Sequence, residues 1–271
     1  MHAAALGLLV ALGLALATWA VSLPLRDASL ADRVWSLLVA APVGVHAWAL
    51  GWPLDTRSTL MLAVLLLWAL RLALYIGARN AGHGEDRRYR AMRARHGPRF
   101  GLKSLYLVFG LQAVLAWVVG WPLLAALGRG GPWTVLDALG LLLAAGGLLF
   151  ETVADAQLAR FRRTPQAAGA VMDRGLWAWS RHPNYFGEAC VWWGLGAMAL
   201  GAGGLAAAWC LLSPLMMTVL LLKVSGVALL EQDIAERRPA YRDYAARTSA
   251  FVPWRSEEHT SELQSRVDIS Y

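Results

Sequence analysis

Glu151 and Asp155 lie four residues apart, and Asn184 and Glu188 repeat that spacing further along the chain. On a helix, positions i and i+4 share one face, so each pair offers two polar groups to one neighbour. Two carboxylates so placed repel, and a cation, a proton, or a ligand hydroxyl or amide must compensate. Arg160, Arg162 and Arg163 follow immediately, so a solvated helix end that neutralises itself meets the same need. The second pair sits in "WSRHPNYFGE", residues 179–188. Pro183 suits the first turn of a helix, where its missing N–H costs nothing, so the stretch reads as a loop entering a helix. A helix start presents unpaired N–H groups and positive potential. With Arg181 and His182 just before it, this start is a cradle for a phosphate or a carboxylate. Asn184 and Glu188 project one turn deeper, toward amides or hydroxyls. His182 alone reads as a capping or interfacial histidine; the combination gives it a chemical role. Trp177 and Trp179 either stack on a ligand ring or belong, like most of the fourteen tryptophans, to the aromatic belt of a bilayer.

The elements that position these residues are membrane spans. The chain is 58% hydrophobic and only 16% charged, too apolar for an ordinary soluble domain. Several runs reach the roughly 20 apolar residues that one crossing takes. The expectation is an all-α polytopic membrane protein with seven transmembrane helices, at about 3–23, 34–52, 59–77, 105–127, 133–154, 186–203 and 205–230. The first run lacks a basic leader and exceeds a signal peptide's apolar core, so it is read as a retained span. Basic residues stay on the cytoplasmic side. Loop 78–104 holds eight Lys/Arg; placed inside, it puts 24–33, 155–185 and 231–254 inside as well, with 2, 5 and 4 basic residues. The other two loops hold only Arg57 and Arg129. The N-terminus is then outside and the C-terminus inside. This rule accounts for the basic excess without nucleic acid, although a phosphate-rich ligand on that side would be attracted.

Residues 1–254 read as a single membrane domain, with a cofactor half at about 105–254. "RSEEHTSELQS", residues 255–265, looks like a sequencing adapter translated in frame, so residues 255–271 are set aside; without their two arginines and four acids the formal charge of +7 becomes +9. Cys190 and Cys210 fall in apolar stretches and read as reduced core thiols, and no metal or redox spacing occurs. No phosphate-binding glycine motif follows a strand, so a nucleotide would bind without a Rossmann fold. Arg71, Lys223 and Glu231 also lie within or at the ends of spans, where ionisable groups are functional candidates. "GHGEDRRYRAMRARHG", residues 82–97, is a solvated basic loop in which Glu85, Asp86 and Tyr89 stand out as groups able to close over a ligand. "LADRVW" puts Asp32 and Arg33 at the start of the second span, as an ion pair or as an acid at the mouth of a lipid-side cavity.

"GLWAWSRHPNYFGE" resembles the C-terminal signature of the steroid 5-alpha-reductase-like membrane family, particularly its bacterial branch. Sterol double-bond reductases carry a similar stretch, and the isoprenylcysteine carboxyl methyltransferases a looser one. "GHGEDRRY", "ETVADAQLARFRR", "LLEQDIAERRPAYRDY" and "FVP" extend the resemblance in order and spacing over roughly residues 25–254. It implies a bacterial inner-membrane protein with a cytoplasm-facing NADPH site and a cavity for a lipid-like substrate. By motif position it implies Asp155 and Arg162 as nucleotide contacts, and Asn184 and Glu188 as the pair holding the nicotinamide end. Trp177, His182 and Tyr185 match positions near the cofactor, and Glu231 and Tyr244 a C-terminal cluster. Glu151, counted with the cofactor-binding residues, stands where the steroid enzymes often have an amide. Asp32 aligns with an acidic substrate-contact position. The N-terminal spans, where substrate specificity resides, match least.

The activity so implied is reduction of an activated carbon–carbon double bond, with hydride from NADPH and a positioned acid at the substrate carbonyl. Asp32 is expected to be that acid, assisted by a tyrosine. The same cradle suits S-adenosylmethionine, which would make the protein a methyltransferase, and a third reading is a lipid-binding protein without catalysis.

Overall fold

The computed structural model describes residues 2–165, 169–224 and 240–254. Their elements are all helices: α1 (His2–Leu25), α2 (Leu30–Leu50), α3 (Thr56–Asn80), α4 (Arg87–His96), α5 (Phe100–Ser104), α6 (Leu111–Val119), α7 (Trp121–Ala126), α8 (Val135–Arg162), α9 (Pro183–Gly203), α10 (Leu212–Val219) and α11 (Ala240–Arg247). A π-helical turn, Leu105–Gly110, joins α5 to α6, and a 3-10 stretch, Gly204–Leu211, joins α9 to α10. Helices satisfy their own backbone hydrogen bonds, the condition for crossing hydrocarbon. The expected all-α class is what the chain adopts.

Among the described residues, six helical runs are long and apolar enough to cross a membrane: Ala4–Leu25, Leu30–Leu50, Thr56–Asn80, Arg87–Ala126, Val135–Arg162 and Pro183–Lys223. The first five overlap the first five expected spans, with ends that differ by a few residues or more. The expected 186–203 and 205–230 fall in one run of 41 residues, which at 1.5 Å per residue reaches about 60 Å, twice the roughly 30 Å of hydrocarbon. It is interrupted at Gly204, whose φ of 57° is left-handed and suits glycine. The chain is thus an integral membrane protein with six to seven spanning helices, and residues 225–230 of the last expected span lie outside the described residues. Exposed leucines such as Leu9, Leu66, Leu70, Leu142 and Leu149 are ordinary for helices that face lipid.

Two boundaries differ from expectation in ways that matter for chemistry. α2 starts at Leu30 rather than 34, which puts Asp32 in its first turn. α8 runs to Arg162 rather than 154, so Asp155 and Arg162 are helical and not loop residues. In both cases polar residues extend the helix beyond the apolar run that revealed it, and hydrophobicity cannot register that extension.

The chain divides into two compact units, Met1–Leu141 with Leu195–Ser213, and Leu142–Gly194 with Pro214–Tyr271. In the first, α1, α2, α3 and α6 pack on one another around Leu38, Met61, Leu65, Trp68 and Phe109. Its best-satisfied polar group is the Arg57–Asp137 pair, 3% and 0% exposed. Arg57 Nε donates to Asp137 Oδ1 at 2.6 Å and Nη2 to Oδ2 at 2.9 Å, while Thr134 N and Oγ1 donate to Oδ2 at 2.7 and 2.9 Å. Nη1 and Nη2 also donate to the carbonyls of Arg129 and Pro132 at 3.1 and 2.8 Å.

In the second unit, glycines bring α8 and α9 together. A Cβ on Gly147 would sit 2.6 Å from the Gly187 carbonyl oxygen, and a Cβ on Gly187 would sit 2.7 Å from Glu151 N. Small residues permit such backbone approach in membrane helices. Phe150 and Phe186 close the same seam edge to face at 5.8 Å.

Candidate functional site

The α8–α9 seam carries the polar pairs from which the sequence reading began. Glu151, Asp155, His182 and Glu188 are buried, at 2%, 3%, 6% and 7% exposure. Pro183 opens α9, as its position after the loop implies, so Asn184 lies in the first turn and Glu188 one turn on. Asn184 Nδ2 donates to Asp155 Oδ1 at 3.1 Å. A carboxylate accepts only, so this bond fixes which end of the amide faces Asp155. The other end, Asn184 Oδ1, is buried without a hydrogen-bond partner. A buried acceptor left unpaired costs about 1–3 kcal/mol, and so marks a place where a ligand donor would be welcome.

The loop before α9 is built from the C-terminal segment. Tyr244, 3% exposed, donates its hydroxyl to the Trp177 carbonyl at 2.5 Å. Ser180 Oγ donates to the Phe251 carbonyl at 2.8 Å, Arg181 N to Ser249 O at 2.8 Å, and Trp254 N to Trp179 O at 3.1 Å. Trp177 is buried, and its indole N–H donates to Ala154 O at 3.0 Å on α8. It is therefore no belt residue, whereas Trp179 is 44% exposed. His182 and Tyr185 stack with centroids 5.4 Å apart and planes within 7°. Arg181 Nη1 donates to the Ala245 carbonyl at 3.2 Å, so this arginine ties the loop to α11 as well as flanking the helix start. Arg162 is exposed at the end of α8. Glu231 lies outside the described residues.

Three contributors were missed from sequence. Gly147 and Gly187 set the seam, and Gln157 accepts from Leu176 N at 3.0 Å, beneath the left-handed Gly175. The glycines carried a signal: one precedes Glu151 by a helical turn and the other immediately precedes Glu188.

The first unit holds a second polar cluster, around Asp32. The expected pairing with Arg33 is not the one formed. Arg33 Nη2 pairs with Asp27 at 3.0 Å, and Asp27 also accepts from the Ser29 hydroxyl. Asp32 accepts from Arg88 Nη2 at 2.7 Å and from the Tyr89 hydroxyl at 2.7 Å. Neighbours in sequence on a helix point apart, whereas α4 presents Arg88 and Tyr89 toward α2. Gln112 Nε2 stands 3.4 Å from Asp32 Oδ1 and 3.3 Å from the Tyr89 oxygen. Glu85 accepts from Arg93 at 2.7 and 2.9 Å and from Ala28 N at 2.9 Å. Asp86 caps α4 by accepting from Arg88 N at 2.9 Å. Burial alone would raise the Asp86 carboxyl; the Arg88 N–H and guanidinium outweigh it and hold the group below the ordinary aspartate value. Glu85, Asp86 and Tyr89, singled out in the sequence, therefore close on α2 and on their own helix.

The model of a family described as "Protein of unknown function (DUF1295)" matches residues 18–248. An uncharacterized protein of Schizosaccharomyces pombe is 26% identical over 279 residues, an alignment that covers 91% of this chain and 78% of that protein. No solved structure matches significantly.

Proposed function

Because the chain belongs to the DUF1295 family, the steroid 5-alpha-reductase-like group, we propose that it is an integral membrane reductase that uses NADPH to reduce an activated carbon–carbon double bond in a lipid-like substrate. The observation that carries this reading is the buried, unpartnered Asn184 Oδ1, held in place by the Asp155–Asn184 bond. A carboxamide N–H, such as that of nicotinamide, is the donor this acceptor suits. The carboxylates of Glu151, Asp155 and Glu188 are acceptors for amide and hydroxyl donors of the same ligand, and the exposed Arg162 suits a phosphate. When bound, NADPH would supply the hydride.

The chain's own residues supply orientation and a proton. Asp155 fixes the Asn184 amide, and the Gly147–Gly187 approach fixes the distance between their helices. Asp32 accepts hydrogen bonds from both Arg88 and Tyr89, and in this reading it orients the two groups. Tyr89 holds the transferable proton on its hydroxyl, hydrogen-bonded to Asp32, and is the tyrosine we assign to the substrate carbonyl. In this reading the site faces the cytoplasm of a bacterial inner-membrane protein.

Thermal unfolding of detergent-purified protein tests the cofactor, since a ligand that binds only the folded state raises its stability. NADPH is expected to raise Tm in the wild type and not in Asn184→Ala, with NADH weaker. A rise with S-adenosylmethionine alone would turn the same residues into a methyltransferase site. No rise with any of the three would favour lipid binding without catalysis.

A further inference from the structure

α4 divides its arginines between two faces. Arg88 and Arg93 point inward, onto Asp32 and Glu85 at 2.7 Å each, and Arg93 also lies over the Phe100 ring at 4.7 Å. Arg90 and Arg95 are exposed at the two edges of the outward side, about 140° apart at 100° per residue, and Arg99 is exposed in the turn that follows. Among the described residues these three hold no ion pair, and the α4 sequence RRYRAMRARH contains no acid. Ala91, Ala94 and the exposed Arg87 lie between them on this side of the helix, and the alanines add little bulk.

The position of this face along the span points to its partner. The run Arg87–Ala126 has 40 residues, more than the roughly 20 that one crossing takes, and its basic beginning is the part that hydrocarbon would exclude. Gly97, at φ 61°, breaks the helix after α4. Leu102 and Tyr106 are then 70% and 60% exposed, as residues facing lipid would be. Hydrocarbon thus begins within about one helical turn of Arg99, which puts its guanidinium at headgroup depth. Like charges gathered on the same exposed side repel one another unless anions gather there. Arginine forks match phosphate oxygens in geometry as well as charge.

We propose that the outer face of α4 docks on anionic lipid headgroups through Arg90, Arg95 and Arg99. The inner face of the same helix holds Tyr89 and Arg88 on Asp32, so α4 is clamped between the lipid surface and that cluster. The inference does not depend on the reductase reading.

The test is amide hydrogen exchange of residues 87–99 in the full-length protein, in nanodiscs of phosphatidylcholine alone and with phosphatidylglycerol added. Arg90→Gln/Arg95→Gln/Arg99→Gln removes the charges with residues of similar helix propensity, so α4 itself should persist. Phosphatidylglycerol is expected to slow exchange across these residues in the wild type, high salt to reverse this, and the triple variant not to respond. Lipid retention in native mass spectrometry gives a second readout, with preference for phosphatidylglycerol expected to fall roughly fivefold per arginine removed. Equal exchange in the two lipids, or undiminished protection and preference in the triple variant, would overturn the proposal. So would protection by soluble pyrophosphate in neutral nanodiscs, which would assign the arginines to a free phosphate ligand.

Discussion

Asp137 and Asp155 are buried aspartates on the same helix, 0% and 3% exposed, one in each unit. Asp137 accepts four hydrogen bonds, two from Arg57 and two from Thr134, and the guanidinium finds further carbonyls for its other donors. Asp155 holds the neutral amide of Asn184, whose opposite end is buried without a partner. A buried network closed on itself fixes a fold, whereas a half-satisfied one carries a cost that a ligand can relieve. Burial of charge alone would not separate structural from functional polar groups in this protein. The unpaired Asn184 Oδ1 is what sets the second cluster apart from the first.

The sharpest way to break the comparison is Arg57→Met. It strands the Asp137 carboxylate in a dry site, and we expect a loss of about 3–5 kcal/mol, read as a large fall in Tm and in folded yield. Arg57→Met with Asp137→Leu should recover most of that loss, because the orphaned charge is gone. If the single variant melts like the wild type, the pair is not the closed network described. Next in size is Gly147→Ala. Its Cβ would meet the Gly187 carbonyl oxygen at 2.6 Å, and backbone cannot step aside as a side chain can. Forced separation of packed elements costs about 1–3 kcal/mol, and here it should also loosen the Asp155–Asn184 bond, so the NADPH-induced rise in Tm is expected to fall with it. A full rise in a destabilised Gly147→Ala would show that the seam does not set the site.

This contrast also marks what the sequence could disclose. The i, i+4 pairs and Pro183 located the second unit's polar seam, because helical spacing and the first-turn preference of proline are local rules. Arg57 was counted only as a loop charge. Its partner Asp137 lies eighty residues away, and nothing local announces such a pairing. Asp32 was placed at the right helix start, but its partners come from α4, and the adjacent Arg33 was the natural guess for a reader who sees only neighbours. Hydrophobic runs found the spans and missed the polar extensions of α2 and α8 that carry Asp32 and Asp155. The same runs split Pro183–Lys223 into two at the point where glycine interrupts the helix.

Asn184→Ala should invert the Arg57 result. It removes a donor to Asp155 and an acceptor that lacks a partner, two losses that partly offset, so Tm should fall little. NADPH response should fall at least tenfold, because roughly 1.4 kcal/mol, the scale of one hydrogen bond, is a factor of ten in affinity. A variant that folds poorly but still responds to NADPH would place Asn184 among the structural groups with Asp137. Tyr89→Phe probes the other polar cluster. Asp32 keeps Arg88, and loss of one hydrogen bond costs about 1 kcal/mol, yet reduction of an enone lipid should fall far more than NADPH binding. Equal activity in Tyr89→Phe would return the proton-donor role to Asp32.

The smallest effect concerns Asp86, which caps α4 through the Arg88 N–H. Its folded-state value lies below the ordinary one, so its contribution is present above the unfolded aspartate value and is lost as pH falls through the folded value. α4 should therefore be unaffected near neutrality and loosen only in acid, below the normal aspartate range. Asp86→Asn keeps a good capping side chain without the titration. Exchange of the α4 amides, normalised to intrinsic rates at each pH, should rise in acid for the wild type and less for Asp86→Asn. Identical profiles would mean that the Asp86 cap does not set the acid response of α4, and that it is dispensable to the position of Tyr89.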